Sequence, residues 1–198
     1  MKINIPVFAL LLFTGSIAFA QNETVYPEGL KVGDMAPDFS GKDQHGNNFK
    51  LDSALLKGDV VMLFYRGQWC PYCKKQLSHF ADSLQLVTAK GATVLAITPE
   101  TPENIKLTVE KTGSSFPILE DKGLAIMKAY KVNFAVDEGT VVRYKGYGID
   151  FDKNNGDNGA NLPVPATYII GKDKKIKFAF FNTDYKKRAS VQDILDSL

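Results

Sequence analysis

Two cysteines are all that this 198-residue chain holds, and they stand three apart in Trp69-Cys70-Pro71-Tyr72-Cys73. Thiols at that spacing can close a disulfide with each other and open it again. A structural staple is a weak explanation, because a bridge around two residues constrains the unfolded chain very little. Metal ligation lacks a matching partner. The histidines are His45 and His79, and His79, six residues beyond Cys73, does not share its helical face. Asp150, Asp152 and Asn154 alternate as in a calcium loop, but Gly156 comes one place late and Asn161 stands where the bidentate glutamate belongs. Neither a metal nor a cofactor is expected, and redox chemistry is the reading that the pair supports.

That chemistry needs a thiolate, and the flanking elements are the kind that make one. Val60 to Tyr65 is a nearly continuous apolar run, the mark of a buried strand. After the motif, Leu77, Phe80, Ala81, Leu84 and Val87 recur at helical spacing. Pro71 suits the first helical position, which makes Cys70 the N-cap, and the helix is predicted to run to Ala89 before Gly91. A sulfur at a helix N-terminus faces free backbone N–H groups and the positive end of the helix dipole. Arg66, four residues earlier, adds a cation. By this geometry Cys70 is the exposed attacking sulfur and Cys73 resolves the mixed disulfide. Trp69 and Tyr72 would flank the sulfurs as an apolar contact surface, or simply pack at the strand–helix corner.

Further along, Ala92 to Thr98 reads as a second buried strand, Thr101 to Gly113 as a helix, Phe116 to Leu119 as a short strand and Gly123 to Tyr130 as a short helix. Val141 to Tyr144 has strand composition, and Asp152 to Asn161 is a polar loop by composition. Ala166 to Ile170 and Lys175 to Phe181 form a hairpin, and Lys187 to Leu198 a final helix. Phe39 to Leu51, with a turn at Gln44-His45-Gly46-Asn47, adds an N-terminal hairpin. The order implies an α/β sandwich around a mixed sheet. Val164-Pro165 opens one strand; a proline there can be cis and would present the Val164 backbone to a bound chain.

Residues 1–20 carry Lys2, an apolar run from Ile5 to Phe13 and a small-x-small site at Ala18-Phe19-Ala20. They are expected to be a secretory signal peptide, which places the protein in the periplasm or outside the cell. Residues 21–32 are then a loose leader before a single domain at 33–198. A net charge of +2 gives no reason to expect nucleic acid, and no membrane is expected after signal cleavage.

Three blocks in order carry a resemblance: Gly33-Asp34-Met35-Ala36-Pro37-Asp38-Phe39, then Phe64 to Cys73, then Pro163-Val164-Pro165-Ala166-Thr167-Tyr168. Together they resemble the alkyl hydroperoxide reductase/thiol-specific antioxidant (peroxiredoxin-like, redoxin) family of the thioredoxin-like superfamily. The likeness implies a three-layer sandwich, a central mixed sheet flanked by helices. It departs from the peroxiredoxin pattern in that Arg66 replaces the proline of Phe-Tyr-Pro. Cys70 falls on the Thr/Ser position, Cys73 on the peroxidatic position, and the family's activating arginine has no match. The resemblance therefore implies Cys73 as the peroxide-reactive sulfur, while helix geometry implies Cys70 as the nucleophile.

Three functions follow as expectations. The first is a thiol–disulfide oxidoreductase acting on protein or small-molecule disulfides, with Val164-Pro165 holding the partner backbone and an external thiol as reductant. The second is a thiol peroxidase acting on hydrogen peroxide or alkyl hydroperoxides. The third is a non-catalytic module that uses the pair to bind a metal or partner.

Overall fold

The computed structural model describes Met1 and residues 26–198; the signal-peptide reading of residues 2–20 and the first part of the leader lie outside them. A hairpin, β1 (Ser40–Lys42) and β2 (Asn48–Lys50), leads into the short helix α1 (Leu51–Leu55) and the strand β3 (Val60–Phe64). Every residue of β3 is buried. The motif helix α2 (Pro71–Asp82) and α3 (Leu84–Ala89) lead to β4 (Thr93–Thr98), α4 (Pro102–Thr112) and β5 (Ile118–Glu120). Next come α5 (Ala125–Ala129), β6 (Asn133–Ala135), α6 (Glu138–Gly146), α7 (Phe151–Asn155) and β7 (Asn161–Pro163). The chain closes with β8 (Ala166–Ile170), β9 (Ile176–Phe181) and α8 (Val191–Ser197).

Five of these strands make one mixed sheet in the order β5-β4-β3-β8-β9. β3, β4 and β5 run parallel; β8 is antiparallel to β3, and β9 to β8. Because alternate strand residues face opposite ways, β3 divides the core. Val60, Met62 and Phe64 pack with Leu51, Leu55, Met127 and Tyr130 on one face. Val61, Leu63 and Tyr65 pack with Leu77, Phe80, Ile105 and Ile194 on the other. The result is the expected sandwich: α1 and α5 on one side, and α2, α4 and α8 on the other.

Four local expectations are corrected. The motif helix is two helices, broken at Ser83 (φ −103°, ψ 8°), which ends α2 and precedes α3. Serine offers the backbone a competing hydrogen bond and favours such ends. Val141-Val142-Arg143-Tyr144 is helical. Asp137 caps α6 by accepting from Thr140 N–H at 2.9 Å, and no residue of α6 is buried, so capping outweighs the β-branched pair. The polar loop at 152–161 is instead α7, a 3₁₀ turn and β7, with Asn154, Asn155 and Asn158 buried. Asn158 Nδ2 donates to Pro99 O at 2.8 Å and its Oδ1 accepts from Gly123 N–H at 2.9 Å, so these side chains serve backbone groups that would otherwise be unpaired. Finally, order begins before Gly33. Gly29 N–H donates to Lys131 O at 2.9 Å, and buried Leu30 donates to Tyr168 Oη at 3.0 Å. Among the described residues no helix is long and apolar enough to cross a membrane.

Candidate active site

The site forms where β3 hands the chain to α2. Gly67 makes the turn at a positive φ of 156°, and a Cβ there would lie 2.5 Å from Trp69 Nε1 and 2.8 Å from Glu100 Oε1. Only glycine lets the turn pass beneath both groups. Cys70 is the N-cap of α2, as expected, and its sulfur accepts from Cys73 N–H at 3.4 Å. The two sulfurs lie 2.7 Å apart, about 0.7 Å beyond a covalent S–S bond. A small approach closes the bridge.

Cys70, however, is not the exposed sulfur: Cys70 and Cys73 are each only 1% exposed. Their protons are held very differently. Burial pushes the Cys73 thiol up, but the hydrogen bond from Cys70, the charge of Arg188 and the backbone N–H of Arg66 outweigh it and bring it down from 9.0 to about 6. For Cys70 the hydrogen bond to Cys73, then burial, then the Cys73 charge all push the thiol up. In the reduced protein the thiolate therefore belongs to Cys73, with the Cys70 S–H donating to it. Helix-terminus reasoning alone favours Cys70; an arginine brought in from the far end of the chain reverses the outcome.

That arginine was missed from sequence. Arg188 is half-buried between β9 and α8 and donates from Nη2 to Cys73 Sγ at 3.5 Å. Its Nη1 is anchored on Tyr185 O and on Lys187 O at 2.8 Å. A helix starting at Lys187 hides this role. The readable signal was the capping box, with Ser190 accepting from Asp193 N–H at 3.1 Å and Asp193 accepting from Ser190 N–H at 2.8 Å, which starts α8 later and leaves Arg188 in the loop.

Arg66 is 5% exposed. Its guanidinium carbon lies 4.6, 5.0 and 5.5 Å from the ring centroids of Tyr185, Trp69 and Tyr144, and Nη2 donates to Tyr144 Oη. Trp69 packs in turn against Tyr144, tilted, and Phe151, edge-on, at 5.5 and 6.1 Å between centroids, so the tryptophan is part of the packing that seats Arg66. Tyr72 is 38% exposed and meets Tyr185 edge-on at 5.8 Å. It borders a groove of about 560 Å³ together with Gln76 and Arg188. Val164 and Pro165 reach the same site from the strand end, lining with Arg66 a second cavity of about 200 Å³. The expectation for this strand start needs correction: there is no cis peptide among the described residues, and Val164 N–H is already donated to Val132 O at 2.8 Å. Val132, at the entry to β6, has taken the Val164 N–H that a partner chain would use.

Glu100 is the second group missed. It lies two residues beyond β4, is fully buried, and accepts from Gln68 N–H at 2.7 Å and Thr108 Oγ1 at 3.3 Å. Burial, with a smaller push from Cys73, raises its carboxyl to about 7. Since the folded value lies above the ordinary 4.5, the group favours folding at low pH and loses that advantage as pH climbs through 7. Stability is expected to fall by about 3 kcal/mol between roughly pH 4.5 and 7 from this residue. In Glu100→Gln, the fall in stability of the oxidised protein, in which Cys73 does not titrate, should be smaller over the same range than in the wild-type protein by about that amount. An unchanged slope would refute the assignment.

A sheet of this topology with a Cys-x-x-Cys pair at the N-terminus of its central helix defines a thiol redox protein of the thioredoxin-like class. Solved structures of the same fold include peroxidoxin BcpB from Mycobacterium tuberculosis (TM-score 0.65, 22% identity, covering 85% of this chain and 96% of that one). Another is the thioredoxin domain of a thiol-disulfide oxidoreductase from Bacteroides vulgatus (TM-score 0.54, 17% identity, 79% and 93%). More particularly, the AhpC/TSA family profile matches residues 32–179, and the chain belongs to that family. It is also 30% identical to thiol-disulfide oxidoreductase ResA of Bacillus thuringiensis (strain Al Hakam) over 173 residues, 86% of this chain and 82% of that protein.

Proposed function

We propose that the protein is a thiol–disulfide oxidoreductase that cycles Cys70 and Cys73 between dithiol and disulfide, with Cys73 attacking first. The observation that carries this is a stabilised Cys73 thiolate with a resolving thiol 2.7 Å away. The Cys73 thiolate attacks one sulfur of R–S–S–R′ and expels R′S⁻, which takes up a proton. Cys70 then loses its proton and attacks Cys73 in the mixed disulfide, expelling RS⁻, which is protonated in turn. The protein gives up two electrons and the substrate becomes two thiols; an external thiol restores the dithiol. The 30% identity to a protein named as a thiol-disulfide oxidoreductase supports this reading.

A peroxidase is the second reading, and Arg188 beside Cys73 favours it. Cys73 thiolate and ROOH would give a sulfenic acid and ROH, and Cys70 would condense with the sulfenic acid to release water. Both sulfurs are nearly closed off, so a small oxidant reaches them more easily than a protein does. Stopped-flow mixing of reduced protein with bis(2-hydroxyethyl) disulfide and with hydrogen peroxide separates the two. The oxidoreductase reading expects disulfide reduction to outpace that by an ordinary free thiol at pH 7, where Cys73 is mostly thiolate. Fast oxidation by peroxide alone would overturn it in favour of the peroxidase.

Export to the periplasm or beyond is part of the same proposal, supported by the 1–20 segment. An oxidising compartment is where a disulfide pair is put to use. The mature protein should begin at Gln21; N-terminal sequencing that finds residues 1–20 retained on the native protein would refute it.

A further inference from the structure

With the Val164 N–H already donated to Val132 O, recognition of a partner needs a surface beyond the strand end. One runs along α2. Tyr72, Lys75, Gln76, His79, Phe80 and Ser83 line the groove of about 560 Å³, and their three- and four-residue steps set them along one side of the helix. Lys186, Arg188, Ala189 and Val191 form its other wall. Phe80 and Ala189 are buried and make an apolar floor, while Lys75 and Lys186 are exposed. Neither ammonium group enters an ion pair or hydrogen bond among the described residues, where the ion pairs are Lys174–Asp52 and Lys177–Asp59. Asp82, at the end remote from Cys73, is the carboxylate among the described lining residues, so the groove is positive on balance. At the near end Arg188 both lines it and donates to Cys73 Sγ at 3.5 Å, so the groove leads to the attacking sulfur. From Tyr72 to Ser83 it follows about 16 Å of helix axis, at roughly 1.5 Å per residue. An extended chain covers that length with about five residues, at roughly 3.3 Å each.

We propose that this groove receives an extended, acidic segment of a partner polypeptide, next to the partner's cysteine, and so selects the disulfides that reach Cys73. The part concerning disulfides rests on the oxidoreductase reading; the part concerning the acidic segment does not. Both sulfurs are nearly closed off, so the approaching chain must be slender, as an extended segment is and a folded surface is not. Successive side chains of such a segment point opposite ways. Small or apolar ones can turn to Phe80 and Ala189 while carboxylates turn outward to Lys75 and Lys186. An exposed ion pair is worth up to about fivefold in affinity, so the charges give a preference among partners and still let the product leave.

The first arm of the test uses no redox chemistry. Fluorescein-labelled Glu-Ala-Glu-Ala-Glu, which has no sulfur, should bind saturably by fluorescence anisotropy, and labelled Gln-Ala-Gln-Ala-Gln at least about tenfold more weakly. Equal binding of the two peptides by the wild-type protein would overturn the groove, and that comparison needs no variant to fold. The double variant Lys75→Glu/Lys186→Glu turns two attractions into repulsions and should weaken the acidic peptide at least about tenfold. Lys42→Glu/Lys106→Glu makes the same change in net charge at exposed positions on β1 and α4, outside the groove. It should leave binding within about twofold. Equal losses in the two double variants would mean attraction by net charge alone and would also overturn the groove. The second arm compares reduction of the symmetric disulfides of Cys-Ala-Glu-Ala-Glu and Cys-Ala-Gln-Ala-Gln. The acidic substrate should be preferred about tenfold in kcat/KM, and Lys75→Glu/Lys186→Glu should bring the ratio close to one. A ratio untouched by that substitution would overturn the selectivity. Binding of the acidic peptide without reduction of either disulfide would leave the groove standing and remove the oxidoreductase reading.

Discussion

Cys73→Ser is expected to lower the rate of disulfide reduction by at least about 10³-fold, because the variant loses the one sulfur held as a thiolate at neutral pH. Cys70→Ser should behave differently. Serine is a good helix N-cap, so α2 keeps its start, and its hydroxyl can donate to Cys73 in place of the thiol. The first attack should proceed while the second cannot, and the protein should accumulate as a mixed disulfide. Intact mass after incubation with bis(2-hydroxyethyl) disulfide reads this directly. Cys70→Ser should carry one mercaptoethanol adduct, located on Cys73, and Cys73→Ser should remain almost unmodified. Rapid adduct formation on Cys70 in Cys73→Ser would reinstate the order that helix-terminus reasoning favours.

Arg188→Met is expected to move the ionisation of Cys73 up from near pH 6 to about pH 8, since a cation this close to a thiolate is worth one to three pH units. At pH 7 the thiolate fraction, and with it the rate of alkylation by iodoacetamide, should fall about tenfold. Methionine keeps most of the apolar stem, and Arg188 precedes the cap of α8 at Ser190, so the helix should persist. The sign in the wild-type protein follows from the lowered value. The Cys73 thiolate stabilises the reduced fold above the ordinary thiol range, and that advantage is lost as pH falls through 6. Arg188→Met should lose most of it. An alkylation midpoint that stays near 6 would mean that the Arg66 N–H and the Cys70 thiol hold the thiolate without Arg188.

The elements that carry the cysteines were legible because each rests on local rules. An apolar run marked β3, and Pro71 after Cys70 marked the start of α2. What escaped depends on contacts distant in the chain. Arg188 is 115 positions from Cys73, and nothing in its neighbourhood shows that the loop returns to the sulfur. Glu100 reads as a charged residue at a strand end until its burial is seen. Tyr144 lies in a stretch whose valines suggest a strand, yet the helix there delivers its hydroxyl to Arg66. Polar composition at 152–161 concealed asparagines that satisfy buried backbone groups. Pairwise chemistry at short spacing is written locally; the charge that decides which sulfur ionises comes from topology.

Intact mass across a series of glutathione redox buffers tests the central claim most directly. With Cys70 and Cys73 working as a reversible couple, the protein should pass, monomeric and without adduct, to a form lighter by two hydrogens as the buffer becomes more oxidising. It should return when dithiothreitol is added, and peptide mapping should place the bridge within residues 70–73. A mass that never falls, or oxidation that yields only glutathione adducts or covalent dimers, would contradict the account.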